Sequence, residues 1–149
     1  MNVSFAQDCT SYLDWVSGNT HEGTTYIDVE SYPLFLPWCL SSKIISKVDK
    51  NNFDASLTVG YKAIDENYTS RIEAVFSKNI RSYAISGPFK SLDSNWLFNN
   101  ISSNKCEVEF NIEYEFKSFF LDKIMGSLFK KATLKMLAAF EKRAYYLYK

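Results

Sequence analysis

The segment Cys106–Phe116 constrains this chain more than any other. Cys106, Val108, Phe110, Ile112, Tyr114 and Phe116 alternate with Glu107, Glu109, Asn111, Glu113 and Glu115. Successive side chains of a strand point to opposite faces, so a period of two held this long requires one apolar face packed and one face in water. That is the signature of a half-exposed antiparallel strand, not of a parallel strand buried on both faces. The four glutamates then lie outside. A general-acid or cation site is conceivable for them, but alternation on a solvent-facing strand accounts for them without one.

Earlier segments repeat the pattern less regularly: Ile44–Val48, Ala55–Tyr61, Tyr68–Phe76, Ile80–Ile85 and Trp96–Phe98. Each is bounded by turn formers, including Asp49-Lys50-Asn51-Asn52, Asp65-Glu66-Asn67, Gly87-Pro88 and Ser102-Ser103-Asn104. Connections this short join antiparallel neighbours, which predicts a meander of about six strands. From Ser118 the period changes. Leu121, Met125, Leu128, Ala132, Met136, Phe140 and Ala144 recur at steps of three and four, with Lys123, Lys130, Lys131, Lys135 and Lys142 mostly off that stripe. This predicts a long amphipathic C-terminal helix of about 30 residues, some 45 Å at 1.5 Å per residue.

A single sheet has one apolar face to cover, and the helix is the available cover. The expected fold is α+β, a curved antiparallel sheet folded over a long C-terminal helix. With 17% aromatic residues, any gap between the two layers would be apolar. The 149 residues fit one domain spanning 1–149. Residues 1–27 are its atypical part: Ser11–Val16 offers at most a helical turn and Thr24–Ile27 a strand fragment.

The formal charge of zero hides an asymmetry. From Lys117 onward, Lys117, Lys123, Lys130, Lys131, Lys135, Lys142, Arg143 and Lys149 stand against Asp122 and Glu141, so the end of the chain is basic and the body acidic. A lysine-bearing amphipathic helix suits an anionic membrane surface, with Lys130, Lys131 and Lys135 the candidate contacts. The longest charge-free apolar stretch, Ser31–Ser42, is broken by Pro33 and Pro37 and is too short to span a bilayer.

Catalytic material is scarce. The lone histidine, His21, lies among Gly, Thr and Asn, which leaves little for a triad or a multi-histidine metal site. No glycine-rich phosphate loop, nucleophile elbow or paired-cysteine motif occurs. The stretch Asp49–Asp54 begins like a calcium loop, but Asp54 stands where glycine is needed and Gly60 where the bidentate acid belongs. Cys9, Cys39 and Cys106 are odd in number and lack metal spacing, which fits a reducing compartment. No catalytic residue, metal or cofactor is expected, and no RNA-binding motif accompanies the basic helix.

The string Asp28-Val29-Glu30-Ser31-Tyr32-Pro33-Leu34-Phe35-Leu36-Pro37-Trp38-Cys39 is a stiff, apolar, non-regular entry into the first clear strand. With ENYTSRIEAVF, ISGPFKSL, Trp96 and Phe98, CEVEFNIEYEFKS and AAFEKRAYYLY following in order, it resembles the coenzyme Q-binding proteins of the START-like polyketide cyclase and lipid-transport superfamily. The likeness covers 28–149 as a family-like core. The front departs from it: Asn19-Thr20-His21-Glu22-Gly23-Thr24 stands where family members place a strand and an apolar helix, so the resemblance implies either that these are recast between Asn2 and Val16 or that the N-terminus is damaged or divergent.

The resemblance implies a helix-grip fold with a hydrophobic tunnel between sheet and helix. It implies non-catalytic binding of ubiquinone (coenzyme Q) or a polyprenyl quinone intermediate, as a carrier or chaperone that supports respiration. Carried over at matching positions, the tunnel residues are Pro37, Trp38, Cys39, Leu57, Tyr68, Ile72, Trp96 and Phe98, with Phe129, Met136 and Phe140 on the helix. A ribosome-association toxin of the same fold is the alternative, with the ribosome as partner, and a polyketide cyclase-type enzyme a more distant one. The opening MNVSFAQDCTSYLDW has no Lys or Arg and carries Asp8 and Asp14, unlike a secretory signal or transit peptide. The expected location is the bacterial cytoplasm, peripheral to the inner membrane, with the matrix side of the mitochondrial inner membrane as alternative.

Overall fold

The computed structural model describes residues 2–8, 27–61, 64–75, 78–102 and 105–147. Seven strands among them form one antiparallel sheet: β1 Asn2–Asp8, β2 Cys39–Asp49, β3 Asn52–Tyr61, β4 Ile64–Val75, β5 Asn79–Ser86, β6 Phe89–Ser102 and β7 Lys105–Phe116. The helix α1, Phe119–Leu147, follows β7 directly. The spatial order is β1-β7-β6-β5-β4-β3-β2. Strands β2 to β7 are thus the expected meander, and β1 adds itself at the far edge, with Phe5 opposite Val108.

That seventh strand is additional to the expected meander of about six. Asn2–Asp8 offers only Val3 and Phe5 at period-two spacing, too few to signal a strand alone. The free edge of β7 supplies the hydrogen bonds that make it one. Two other expectations also shift. β6 runs far beyond Trp96–Phe98, because Ser94 holds an inward position between Leu92 and Trp96 and interrupts the apolar rhythm. The entry string contains a 3-10 turn, Val29–Leu34, rather than being wholly irregular. Of the weaker expectations at the front, the helical turn Ser11–Val16 lies outside the described residues. So does Thr24–Ile27, except for Ile27, which is in a turn.

Alternation in β7 works as its sequence requires. Val108, Phe110, Ile112 and Phe116 are buried, while Glu113 and Glu115 are exposed. The core continues across the sheet through Phe53, Ala55, Leu57, Ile72, Ile80, Trp96 and Phe98, and is closed by Leu137 and Phe140 of α1. Outside, paired charges occupy the opposite parity. Arg71 donates to both carboxylate oxygens of Asp54 at 2.9 and 3.1 Å, and Arg81 to those of Asp93 at 3.2 and 2.7 Å. Such exposed pairs add little stability but keep that face solvated.

Candidate functional site

Helix and sheet do not close on each other everywhere. Between them lies a cavity of about 280 Å³, near the lower end of the roughly 300–1,000 Å³ range of small-molecule pockets. Side-chain size on the sheet's inner face accounts for it. Ser82 sits opposite Ile72 on one side and Ser94 on the other, and Ser70 precedes Ile72 by one inward position. These three small residues line the middle of the floor, where larger aliphatic side chains would have filled the space below the helix. The roof is the stripe read from the helical period: Leu121, Met125, Leu128, Ala132, Met136 and Phe140 all line it.

The entry segment makes a third wall. Its apolar side packs on α1, with Phe140 meeting Tyr32 at 5.2 Å, Phe35 at 5.4 Å and Trp96 at 5.1 Å, all edge to face. Ser42 donates to the Val29 carbonyl at 2.5 Å and so ties the 3-10 turn to β2. Trp38 has φ of +64°, a left-handed conformation unusual for a bulky residue. Its carbonyl accepts from the Gly60 amide at 2.9 Å, and the Lys135 ammonium lies 5.5 Å from its ring centroid. Strain of this kind persists only where the surroundings hold it, and it clusters at ligand sites.

Of the eleven residues expected to border a tunnel, ten line this cavity: Pro37, Trp38, Cys39, Leu57, Tyr68, Ile72, Trp96, Phe129, Met136 and Phe140. Phe98 does not. It is buried in the core beyond Trp96, opposite Val108, where sheet and helix are already packed together. Of the three lysines singled out, Lys131 and Lys135 are exposed and also line the cavity, marking where it meets solvent, while Lys130 is exposed and outside it. Reading by resemblance missed Ser70, Ser82 and Ser94. Parity would have found them, since each shares a face with apolar inward neighbours.

Burial sets the chemistry of the ionisable lining. Desolvation pushes the Cys39 thiol up to about 11 and the Tyr68 phenol up to about 12, the latter also raised by its proximity to Cys39. The Tyr32 phenol is raised further, again chiefly by burial. All three are neutral at physiological pH. Thr133 donates to the Phe129 carbonyl at 2.8 Å and Ser94 to the Ser82 carbonyl at 3.3 Å, so their protons are committed to backbone. Among the described residues, no group of His, Cys, Asp and Glu could hold a metal ion, and no helix is long and apolar enough to cross a membrane.

Residues 25–141 match the family described as polyketide cyclase / dehydrase and lipid transport. The chain belongs to that family. Its relatives carry more than one name. A ribosome association toxin RatA from Rickettsia prowazekii is 42% identical over 121 residues, covering 78% of this chain and 82% of the relative. Coenzyme Q-binding protein COQ10 homolog B from Xenopus laevis is 32% identical over 125 residues, covering 81% of this chain and 51% of the relative. Among solved structures, a START superfamily protein from Mycobacterium smegmatis superposes with TM-score 0.77 at 14% identity, over 99% of this chain and 97% of the other. An 18 kDa protein from Caulobacter crescentus does so with TM-score 0.69 at 28% identity, over 99% and 96%. An aromatase/cyclase from Streptomyces superposes with TM-score 0.75 over 97% and 93%, a likeness that at 10% identity shows the fold alone. The helix-grip fold of this family is the sheet-over-helix arrangement described above.

Proposed function

We propose that this chain binds ubiquinone, or a polyprenyl quinone intermediate, in the cavity between α1 and the sheet, and carries it without changing it. The observation that carries the reading is the cavity itself. It is walled mainly by aromatic and aliphatic side chains with a few hydroxyls, has Glu66, Lys131 and Lys135 as its charged lining, and takes in ten of the residues that the resemblance implies.

Energetics shape the role. Burying each methylene of an isoprenoid tail gains about 0.8 kcal/mol relative to water, but a bilayer offers nearly the same gain. Net transfer from membrane to protein then rests on shape and on polar contacts to the ring, and affinity is modest, as a carrier needs. Catalysis has little support here. A nucleophilic cysteine acts as its thiolate, and the raised Cys39 and Tyr68 values hold both groups protonated. Exchange would take place at the inner membrane, with exposed Lys130, Lys131 and Lys135 against anionic headgroups.

The test is extraction of lipid from protein purified out of a quinone-producing host, followed by mass spectrometry. Stoichiometric quinone is expected; protein that carries none and takes up none when supplied refutes the reading. A second reading, association with the ribosome, draws support from the 42% identity to the RatA relative. Co-sedimentation with ribosomal subunits at physiological salt would favour it over the first.

A further inference from the structure

Six hydroxyl-bearing side chains line the cavity: Tyr32, Tyr68, Ser70, Ser82, Ser94 and Thr133. Thr133 and Ser94 donate to backbone carbonyls. No described residue hydrogen-bonds to the side chain of Tyr68, Ser70 or Ser82, and of these Tyr68 and Ser70 adjoin on one strand. Ser70 is 3% exposed. Buried hydroxyls almost always find a partner, and leaving one unmade costs more than a typical hydrogen bond contributes. Selection for stability alone would place alanine at 70, as the neighbouring strand does at its register partner, Ala84.

Their placement is not scattered. Tyr68 and Ser70 are successive inward positions of β4, with backbone positions about 7 Å apart, and both face the same enclosed space. Tyr68 is held from behind. Gly87 approaches so closely that a Cβ there would lie 2.5 Å from the Tyr68 Cβ, and Phe89 meets the Tyr68 ring at 5.5 Å, edge to face. The phenol is therefore positioned by its surroundings rather than by a hydrogen bond of its own.

We propose that Tyr68 and Ser70 together form the polar seat of the cavity, taking a neutral oxygen of the ligand, a ring carbonyl or hydroxyl, between them. This rests on the quinone reading and adds to it which end of the ligand is recognised, and where. Both groups can donate or accept, so the seat serves the oxidised carbonyl and the reduced hydroxyl alike. An anionic head is disfavoured there: Glu66, the preceding inward position of β4, lines the cavity beside Tyr68, while the lysines of the lining, Lys131 and Lys135, are exposed on α1. An apolar tail alone would satisfy neither hydroxyl.

The experiment measures displacement of the neutral fluorophore N-phenylnaphthylamine by decylubiquinone and by decylbenzene, a ligand with the same tail and no oxygen. Tyr68→Phe and Ser70→Ala should each weaken decylubiquinone about three- to tenfold, the range set by one hydrogen bond. Decylbenzene should change by less than about twofold in both variants. Ser70→Ala should also leave the ligand-free protein at least as heat-stable as the parent, since it deletes a hydroxyl without a partner. A double variant that binds decylubiquinone as the parent does overturns the seat and leaves the quinone reading standing. Equal loss for both ligands with a lowered melting temperature overturns it too, by making the pair structural. A parent protein that takes decylbenzene but not decylubiquinone removes the quinone reading, and the seat with it.

Discussion

Phe140→Ala would test whether the cavity's walls are held together as described. Phe140 is 2% exposed, and its ring meets three rings on two other elements: Tyr32 and Phe35 of the entry segment, and Trp96 of β6. Truncation re-exposes or empties roughly 150 Å² of apolar surface, worth about 4 kcal/mol at 25 cal/mol per Å². One side of the ring already borders the cavity, so fewer packing contacts are lost there than in a solid core, and about 3–4 kcal/mol is expected. That is a large share of the roughly 5–15 kcal/mol that holds a domain folded, and lowers the melting temperature by on the order of 10 °C for a chain of this size. Urea unfolding followed by far-ultraviolet circular dichroism measures it, and tryptophan fluorescence, to which Trp96 contributes with Trp15 and Trp38, gives a second probe. Phe140→Leu, which keeps the volume nearly intact, should cost less than about 2 kcal/mol. A loss below about 1 kcal/mol for Phe140→Ala, with an unchanged denaturant slope, would mean that the entry segment and helix do not meet at this ring.

Three further outcomes are expected. Gly87→Ala places a Cβ 2.5 Å from that of Tyr68 at φ of +124°, and should destabilise by well over about 1 kcal/mol; thermal unfolding unchanged from the parent would contradict the close approach. Ser42→Ala removes the bond to the Val29 carbonyl and should cost about 1 kcal/mol, with faster amide exchange in the 3-10 turn as its local sign. In a variant retaining Cys39 as its sole cysteine, iodoacetamide alkylation at pH 8 should lag a free thiol by more than tenfold. The folded state keeps the Cys39 proton up to about 11 while an unfolded chain releases it near 8.5. Stability from this group is therefore full below about 8.5 and declines as pH rises through that window; alkylation at the free-thiol rate would refute the burial.

How far such residues could be read in advance depended on whether their signal was local. The alternation of Cys106–Phe116 and the stripe from Leu121 to Phe140 are properties of consecutive residues, because strand and helix periods are set by backbone geometry. They anticipated the expected meander and its cover with little error. β1 could not be read the same way, since its strand character comes from an edge more than a hundred residues distant, with Asn2 opposite Asn111. Phe98 was carried over to the tunnel with Trp96 on the strength of the resemblance; only the tertiary structure puts one beside the cavity and the other in the core beyond it.

Alone, the sequence determined that an acidic antiparallel sheet is covered by a basic amphipathic helix, and that the chain is poor in catalytic material. The tertiary structure decided that these layers part in the middle. Ser70, Ser82 and Ser94 are unremarkable in their own strands; pairing Ser82 with Ser94 across one register, one row from Ser70, gathers three small polar side chains under one helix and leaves space there. A void is made by what fails to meet, and residues twelve or more positions apart meet, or fail to, only once the register and the height of the helix are set.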